Sequence, residues 1–215
     1  MKNLIYLFSV IILLTSCGGG NENNNNISEA IKNDSPIKSG KSEITLEGIK
    51  LPSKLTLDST SLILNGAGVR NKFHLKVYVA ALYLPSKNSN PVDIINKDEP
   101  QAVVLHITSI LMTSGNMSKY ISEGFFRSTG GKVAPIQKQI DLALTIFNSE
   151  PVSKNDKFEM FYIPEERGVK SYKNGKFLSF IPGGLEFKKA MFGIWLSNDP
   201  VDEDLKTGIL GLEIK

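Results

Sequence analysis

The chain has 215 residues, of which 41% are hydrophobic and 22% charged, an ordinary globular composition for one or two domains. Its formal net charge is +3, and the charged residues are scattered along the chain, so the sequence predicts no nucleic-acid partner. One cysteine and two distant histidines, His74 and His106, form no recognisable metal cluster. No metal site and no cofactor are therefore predicted.

Residues 1–16 are predicted to be an export signal. Lys2 is followed by the apolar stretch 4–14, which is too short to cross a bilayer core of about 30 Å. The stretch ends in the sequence LTSC at 14–17, which resembles the lipobox of bacterial lipoproteins and makes Cys17 the predicted lipidation site. The alternative is a plain secretory signal with a chance cysteine.

Residues 17–42 are predicted to be a lipidated cysteine and a disordered linker, because the segment is rich in Gly, Asn, Ser and Lys and has few large apolar side chains. No aspartate directly follows Cys17, which favours the outer membrane, with the domain outside the cytoplasm. Residues 43–215 contain no second linker and no internal repeat, so they are predicted to form one domain.

Hydrophobic periodicity predicts the elements of that domain in chain order. Strands are expected at 44–50, 61–64, 73–84 and 101–108, followed by amphipathic helices at 116–127 and 135–148. Three strands follow at 157–163, 168–172 and 176–181, the last two joined by a tight turn at Asn174 and Gly175. Helices at 184–196 and 202–210 close the chain. This order predicts an α+β fold with a mostly antiparallel sheet and helices packed on one face.

Three stretches together resemble the chalcone isomerase-like family. They are LNGAGVR at 64–70 with VYVAALYL at 77–84, EGF at 123–125, and FGIWL at 192–196 leading into DLK at 204–206. The resemblance covers residues 45–212. It implies an open-faced β-sandwich, in which a long curved sheet carries helices on one face and a ligand cleft lies between them.

The family contains plant isomerases, which close a ring on a phenolic substrate, and members that bind fatty acids. The resemblance implies that Arg70 is the arginine used by both kinds, as an anchor for a phenolate or a carboxylate. Tyr78 looks like the tyrosine that accompanies the arginine in the fatty-acid-binding members. Positions where the isomerases have polar side chains fall near Met117, Gly124 and Ile194 here.

The resemblance thus predicts a non-catalytic module that binds a fatty acid or a similar hydrophobic carboxylate through Arg70 and Tyr78. Predicted tail contacts are Met117, Phe125, Phe192 and Ile194, and Lys76 is a further candidate anion partner. Two alternatives stay open. One is an isomerase of the intramolecular lyase type in which Arg70 is catalytic, and the other is a partner-binding lipoprotein with a vestigial cleft.

Without the resemblance, the same residues have ordinary structural interpretations. Arg70 would be a surface arginine, Tyr78 a strand tyrosine, and Gly66 and Gly68 turn glycines. His106 would be a core or edge histidine, and we assign it no role.

Overall fold

The computed structural model describes residues 36–40 and 43–212. Its main feature is a curled eight-stranded antiparallel sheet with the strand order β1-β4-β5-β6-β7-β8-β9-β10, and β2 and β3 form a separate hairpin. The strands are β1 Lys38–Ser39, β2 Glu43–Leu46, β3 Ile49–Pro52, β4 Lys54–Leu57, β5 Thr60–Lys72, β6 Leu75–Leu84, β7 Gln101–Ile107, β8 Lys157–Ile163, β9 Gly168–Lys173 and β10 Lys176–Pro182.

Five α-helices complete the described fold: α1 Pro91–Asn96, α2 Ser114–Ser128, α3 Gln137–Asn148, α4 Gly184–Leu196 and α5 Glu203–Ile209. A short 3₁₀ turn, Ala134–Ile136, precedes α3. Helices α2, α3 and α4 bury their apolar faces in one cluster with β6, β7 and β8. The predicted α+β fold, with helices on one face of a mostly antiparallel sheet, is confirmed.

The sheet is buried on both faces where β6 runs through it. Ala80 and Leu82 face the helices, whereas Val79 and Ala81 belong to a second apolar cluster on the opposite face. That second cluster includes leucines of β3 and β4. Continuous burial explains why β6 has apolar residues at nearly every position rather than at alternate ones.

Several predicted elements match the structure closely. Strand β8 and helix α4 have the predicted bounds, and Asn174 and Gly175 join β9 to β10 with φ of 53° and 82°. The predicted strand at 44–50 is wrong, because Glu47 and Gly48 turn the chain and split it into β2 and β3. The sequence patterns also missed the short elements β4 and α1.

The interpretation of Gly66 and Gly68 as turn glycines is wrong as well. Both lie inside β5, where helix α5 crosses the strand closely. A Cβ atom on Gly66 would come within 2.3 Å of the carbonyl oxygen of Gly208, and one on Gly68 within 2.9 Å of that of Leu205. The glycines are therefore needed for strand-to-helix packing.

Lys188 of α4 ties this helix to α1. Its side chain is fully buried, and its ammonium group donates hydrogen bonds to the carbonyl oxygens of Ile94, Ile95 and Lys97 at 2.5, 2.9 and 2.8 Å. These carbonyl groups lie at the C-terminal end of α1, where the last carbonyls of a helix have no N–H partner within the helix itself. Lys188 thus caps a short helix that its own length would barely stabilise.

The predicted signal and Cys17 lie outside the described residues. Within the predicted linker, Lys38–Ser39 pairs with β4. None of the described helices is long and apolar enough to cross a membrane.

Candidate functional site

Arg70 and Tyr78 are neighbours on adjacent strands. The register of β5 and β6 places them directly opposite each other, and the pairing shifts immediately after Arg70. Tyr78 belongs to the apolar cluster between the sheet and the helices. The sheet therefore brings together the two side chains that the family resemblance selected.

The Tyr78 hydroxyl group is held from two sides. Trp195 of α4 donates its indole N–H to the Tyr78 Oη at 3.0 Å, and the Arg70 Nη1 makes a long contact of 3.5 Å with the same oxygen. A phenol has one hydrogen to donate in addition to its acceptor lone pairs. No acceptor in the described part of the chain receives that hydrogen. Tyr78 is thus positioned to donate to a further group.

The guanidinium group of Arg70 is buried without a counter-ion. The residue is only 6% exposed, and its Nε–H has no hydrogen-bond acceptor. No carboxylate of the described residues forms an ion pair with it. Because removing an unpaired charge from water is unfavourable, this arrangement favours the binding of an anion from outside the chain.

Tyr120 and Lys72 complete the surroundings of Arg70. The Arg70 Cζ lies 5.3 Å from the centre of the Tyr120 ring, and the Lys72 Nζ lies 3.7 Å from the same centre. The ring of Tyr78 lies 5.7 Å from the Arg70 Cζ. Cation–π contacts of this kind partly compensate a desolvated cation and leave its N–H donors available.

Neither Tyr120 nor Lys72 was a predicted site residue. Both belong to ordinary patterns, a helical apolar stripe and a polar strand end, and no local signal distinguishes them. Trp195 was recognised only as part of a family stretch, because its contact with Tyr78 spans 117 residues of sequence.

The four predicted tail residues all lie in the apolar layer next to this pair. Met117, Phe125, Phe192 and Ile194 are each at most 2% exposed. Phe125 and Ile194 line a void of about 10 Å³, which also contacts Trp195, whereas Met117 and Phe192 pack elsewhere in the same cluster.

The predicted tail residues that the structure describes enclose only this small void rather than the expected open cleft. A void of 10 Å³ is far below the roughly 300 Å³ or more of a typical ligand pocket. Helices α2 and α4 are in tight contact, since a Cβ atom on Gly124 would come within 2.7 Å of Ile194 Cγ2. An alkyl chain could enter the void lined by Phe125 and Ile194 only if α2 and α4 moved apart.

A larger cavity, about 500 Å³, lies along α4 next to the C-terminal end of α2 and the start of α3. It is lined in part by Lys132, Gln139 and Lys189 and by none of the predicted site residues. Lys189 already pairs with Glu186 at 3.0 Å. Because this cavity lacks a buried unpaired charge, we place the candidate site at Arg70.

Two other predicted residues lie away from the site. Lys76, the further candidate anion partner, is exposed and forms an ion pair with Glu47 at 2.7 Å. His106 pairs with Val79 on the sheet face opposite the helices, and burial, followed by the nearby Lys157, lowers its pKa to about 4. No group of metal-ligating side chains occurs among residues 36–40 and 43–212.

Comparison with known proteins agrees with this fold. The family model described as chalcone isomerase-like matches residues 43–211. The chain therefore belongs to the chalcone isomerase-like family.

Among solved structures, a fatty-acid binding protein of Arabidopsis thaliana is similar to this chain with a TM-score of 0.61 and 12% sequence identity. The match covers 79% of this chain and 96% of the plant chain. At this identity the similarity establishes the fold. A search of curated proteins found no match.

Proposed function

We propose that this protein is a membrane-anchored lipoprotein whose chalcone isomerase-like domain binds a fatty acid or a similar hydrophobic carboxylate through Arg70 and Tyr78. The observation that carries the proposal is a buried guanidinium group with no carboxylate partner among the described residues. The structurally similar plant protein is a fatty-acid binding protein, which supports the same class of ligand.

The donors available at the site suit a carboxylate. Arg70 can offer its Nε–H and Tyr78 its hydroxyl hydrogen, and a carboxylate has two oxygens that can accept both. A neutral alcohol carries no charge, so it would leave the buried guanidinium group without a counter-ion. The proposed site therefore distinguishes fatty acids from fatty alcohols of the same length.

The alkyl tail would extend from this head-group site past Trp195 into the void lined by Phe125 and Ile194. Opening requires the separation of α2 and α4, whose contact at Gly124 and Ile194 is apolar. An apolar contact can be replaced by an apolar tail without leaving polar groups unpaired. The same apolar lining offers few donors for the polar transition state of a ring closure, which favours binding over isomerisation.

Calorimetric titration of the purified full chain with dodecanoate and dodecanol tests the proposal. We expect dodecanoate to bind and Arg70→Gln to weaken binding at least about tenfold, the effect of losing one charge-assisted hydrogen bond. The matched control is Arg127→Gln, an exposed arginine of α2 that pairs with Asp199. Equal affinity for the acid and the alcohol, or equal losses in the two variants, would contradict the proposal.

The ligand carried by the native protein can be identified by mass spectrometry after mild organic extraction. Extraction without hydrolysis leaves any acyl chain on Cys17 attached, so that only the bound ligand is recovered. We expect long-chain carboxylates from the parent protein and depleted amounts from Arg70→Gln.

The proposed anchor is tested separately. A clickable palmitate analogue should label the wild-type protein in cells. We expect cell fractionation to recover the labelled protein in the outer-membrane fraction. Cys17→Ala should lose the label, whereas Ser16→Ala should keep it. Labelling that persists in Cys17→Ala would show that the cysteine is not the attachment point.

A further inference from the structure

The two most exposed large apolar side chains that the structure describes lie at one end of the sheet. Phe73 is 83% exposed and Ile110 77%, the highest values among the large apolar residues described, and Leu75 and Leu111 are 45% and 55% exposed. Such a concentration is unusual on a soluble surface and marks an interaction site.

These four residues come from two neighbouring segments. Phe73 lies in the turn between β5 and β6, and Leu75 is the first residue of β6. Ile110 and Leu111 lie in the loop 108–113 after β7. Strands β6 and β7 are antiparallel with Tyr78 opposite Ile107, and the Thr108 amide donates to the Val77 carbonyl at 3.1 Å. The loop therefore continues alongside the start of β6, and we refer to residues 72–76 and 108–113 together as the apolar end.

The turn holds Phe73 outward in an unfavourable backbone conformation. Phe73 and His74 have φ of 51° and 63°, a two-residue turn with both central residues in the left-handed region. The equivalent turn between β9 and β10 uses Asn174 and Gly175, the residue types that such turns favour. A bulky phenylalanine in this region is a backbone outlier, and outliers of this kind concentrate at functional sites.

The charges of the apolar end are cationic. Lys72 and Lys76 lie in the turn segment, and neither segment contains an aspartate or a glutamate. Lys76 is paired with Glu47 of the neighbouring hairpin, whereas Lys72 has no carboxylate partner among the described residues. Exposed aromatic and aliphatic side chains flanked by lysines suit the interface of an anionic bilayer.

We propose that the apolar end is a membrane-contacting surface, which inserts Phe73 and Ile110 into the head-group region of an anionic lipid bilayer. This contact does not depend on ligand binding at Arg70. It would place Lys72 at the lipid surface, and Lys72 contacts Tyr120, which in turn contacts Arg70. If the proposed function holds, the same surface is where a fatty acid passes between the bilayer and the site.

Tryptophan quenching by brominated lipid tests this orientation in the full chain. The variant Phe73→Trp is compared with Phe126→Trp, a control position on α2 that is also exposed, at 61%. Vesicles consist of phosphatidylcholine brominated on its acyl chains with a minority of phosphatidylglycerol. The buried Trp195 gives a constant background, measured in the parent protein. Because the apolar stretch 4–14 can itself hold the chain on vesicles, the location of the tryptophan is the readout rather than the amount bound.

We expect Phe73→Trp to lose about half of its added emission, as for a side chain at the boundary between head groups and acyl chains, and Phe126→Trp to stay unquenched. Equal quenching at both positions, or none at position 73, overturns the proposal. An absence of quenching at position 73 would mean that the apolar end binds a protein partner rather than a bilayer.

The link to the ligand site is measured by the rate at which a fluorescent fatty acid leaves vesicles for the protein. Phe73→Ser combined with Ile110→Ser should slow transfer severalfold and leave the bound amount at equilibrium unchanged. Failure of the parent protein to bind the fatty acid at equilibrium would count against the proposed function, whereas an unchanged transfer rate in the double variant would count against a role of the apolar end in transfer.

Discussion

The indole N–H of Trp195 donates to the hydroxyl oxygen of Tyr78 across 3.0 Å, and this bond joins helix α4 to strand β6 at the candidate site. It fixes the orientation of the phenol and leaves its hydrogen free to donate. The site is thus built by tertiary packing as much as by the two strands that carry Arg70 and Tyr78.

Replacing Tyr78 by phenylalanine should weaken carboxylate binding severalfold, because the ligand loses one hydrogen bond of roughly 1 kcal/mol or more. The same change leaves the Trp195 N–H without its acceptor and should lower the free energy of unfolding by about 1 to 3 kcal/mol. Tyr83→Phe is the matched control, since the Tyr83 hydroxyl donates to the Pro52 carbonyl at 3.0 Å on the other face of the sheet. Calorimetry and urea denaturation measure the two effects. Unchanged carboxylate affinity in Tyr78→Phe would contradict the role assigned to this hydroxyl.

Arg70→Met should separate stability from binding. Methionine fills the space with apolar atoms and removes a buried charge that has no carboxylate partner in the described chain, so we expect stability to be unchanged or raised by about 1 kcal/mol. Dodecanoate binding should be lost in the same variant. Urea denaturation and calorimetry on one preparation give both values. A strong destabilisation would mean that Arg70 has a structural partner, and the anion-binding role would have to be given up.

The sequence patterns were most successful where a short run is rich in strand-forming residues and where a turn has a clear residue signature. Strand β8 and the turn at Asn174 and Gly175 illustrate this, because local chemistry alone determines them. Phe73 was assigned to a strand by hydrophobic periodicity, and that assignment is wrong, because Lys72 pairs with Leu75 and leaves Phe73 and His74 to form the turn. Hydrophobic periodicity does not show where a turn interrupts a run of apolar residues.

The site itself was only partly predictable. Arg70 and Tyr78 were selected by resemblance to a family, since nothing in the hydrophobic periodicity of β5 and β6 reveals that they lie opposite each other, next to a register shift. The contacts of Tyr120 and Trp195 depend on helix packing and could not be read from spacing. The closed packing of α2 against α4 was also unpredictable, because core and pocket lining have the same composition.

Ile194→Ala should make the apolar layer easier to open. Removing the side chain that contacts Gly124 enlarges the void beside Trp195, and we expect a loss of about 2 to 4 kcal/mol in stability. Dodecanoate should bind faster or more tightly, because less packing has to be displaced. Ile146→Ala is an informative comparison, since Ile146 lines the same void from α3 without contributing to the contact at Gly124. Stopped-flow binding and thermal unfolding test the expectation, which fails if Ile194→Ala binds more slowly than the parent.

Lys188 should make stability depend on pH above neutrality. Burial lowers its pKa to about 8 in the folded protein, from an ordinary value of 10.5. Between these two values the unfolded chain binds more protons than the folded one, so Lys188 contributes a rise of stability with increasing pH, on the order of 3 kcal/mol across the window. Below about pH 8 the group is charged in both states and contributes no slope.

Lys188→Met isolates this contribution. The variant should be destabilised at neutral pH, because the carbonyls of Ile94, Ile95 and Lys97 lose their donor. It should also show a flatter dependence of unfolding free energy on pH between 8 and 10.5 than the parent. Lys189→Met is the control, since Lys189 is a neighbouring lysine paired with Glu186 near the surface. Parallel pH profiles for the parent and Lys188→Met would exclude the lowered pKa.

Exchanging the residues of two turns should reveal the strain at the apolar end. Phe73→Asn combined with His74→Gly gives the β5 to β6 turn the residues of the β9 to β10 turn, and we expect stability to rise by about 1 to 2 kcal/mol because the left-handed conformation no longer opposes a bulky side chain. The reverse exchange, Asn174→Phe with Gly175→His, should destabilise by a similar amount. Urea denaturation compares each of the two double variants with the parent protein. Since the stabilised variant also lacks the exposed ring, it should take up fluorescent fatty acid from anionic vesicles more slowly than the parent. Faster uptake by this variant would contradict the expectation that the exposed Phe73 ring promotes uptake by contacting the membrane.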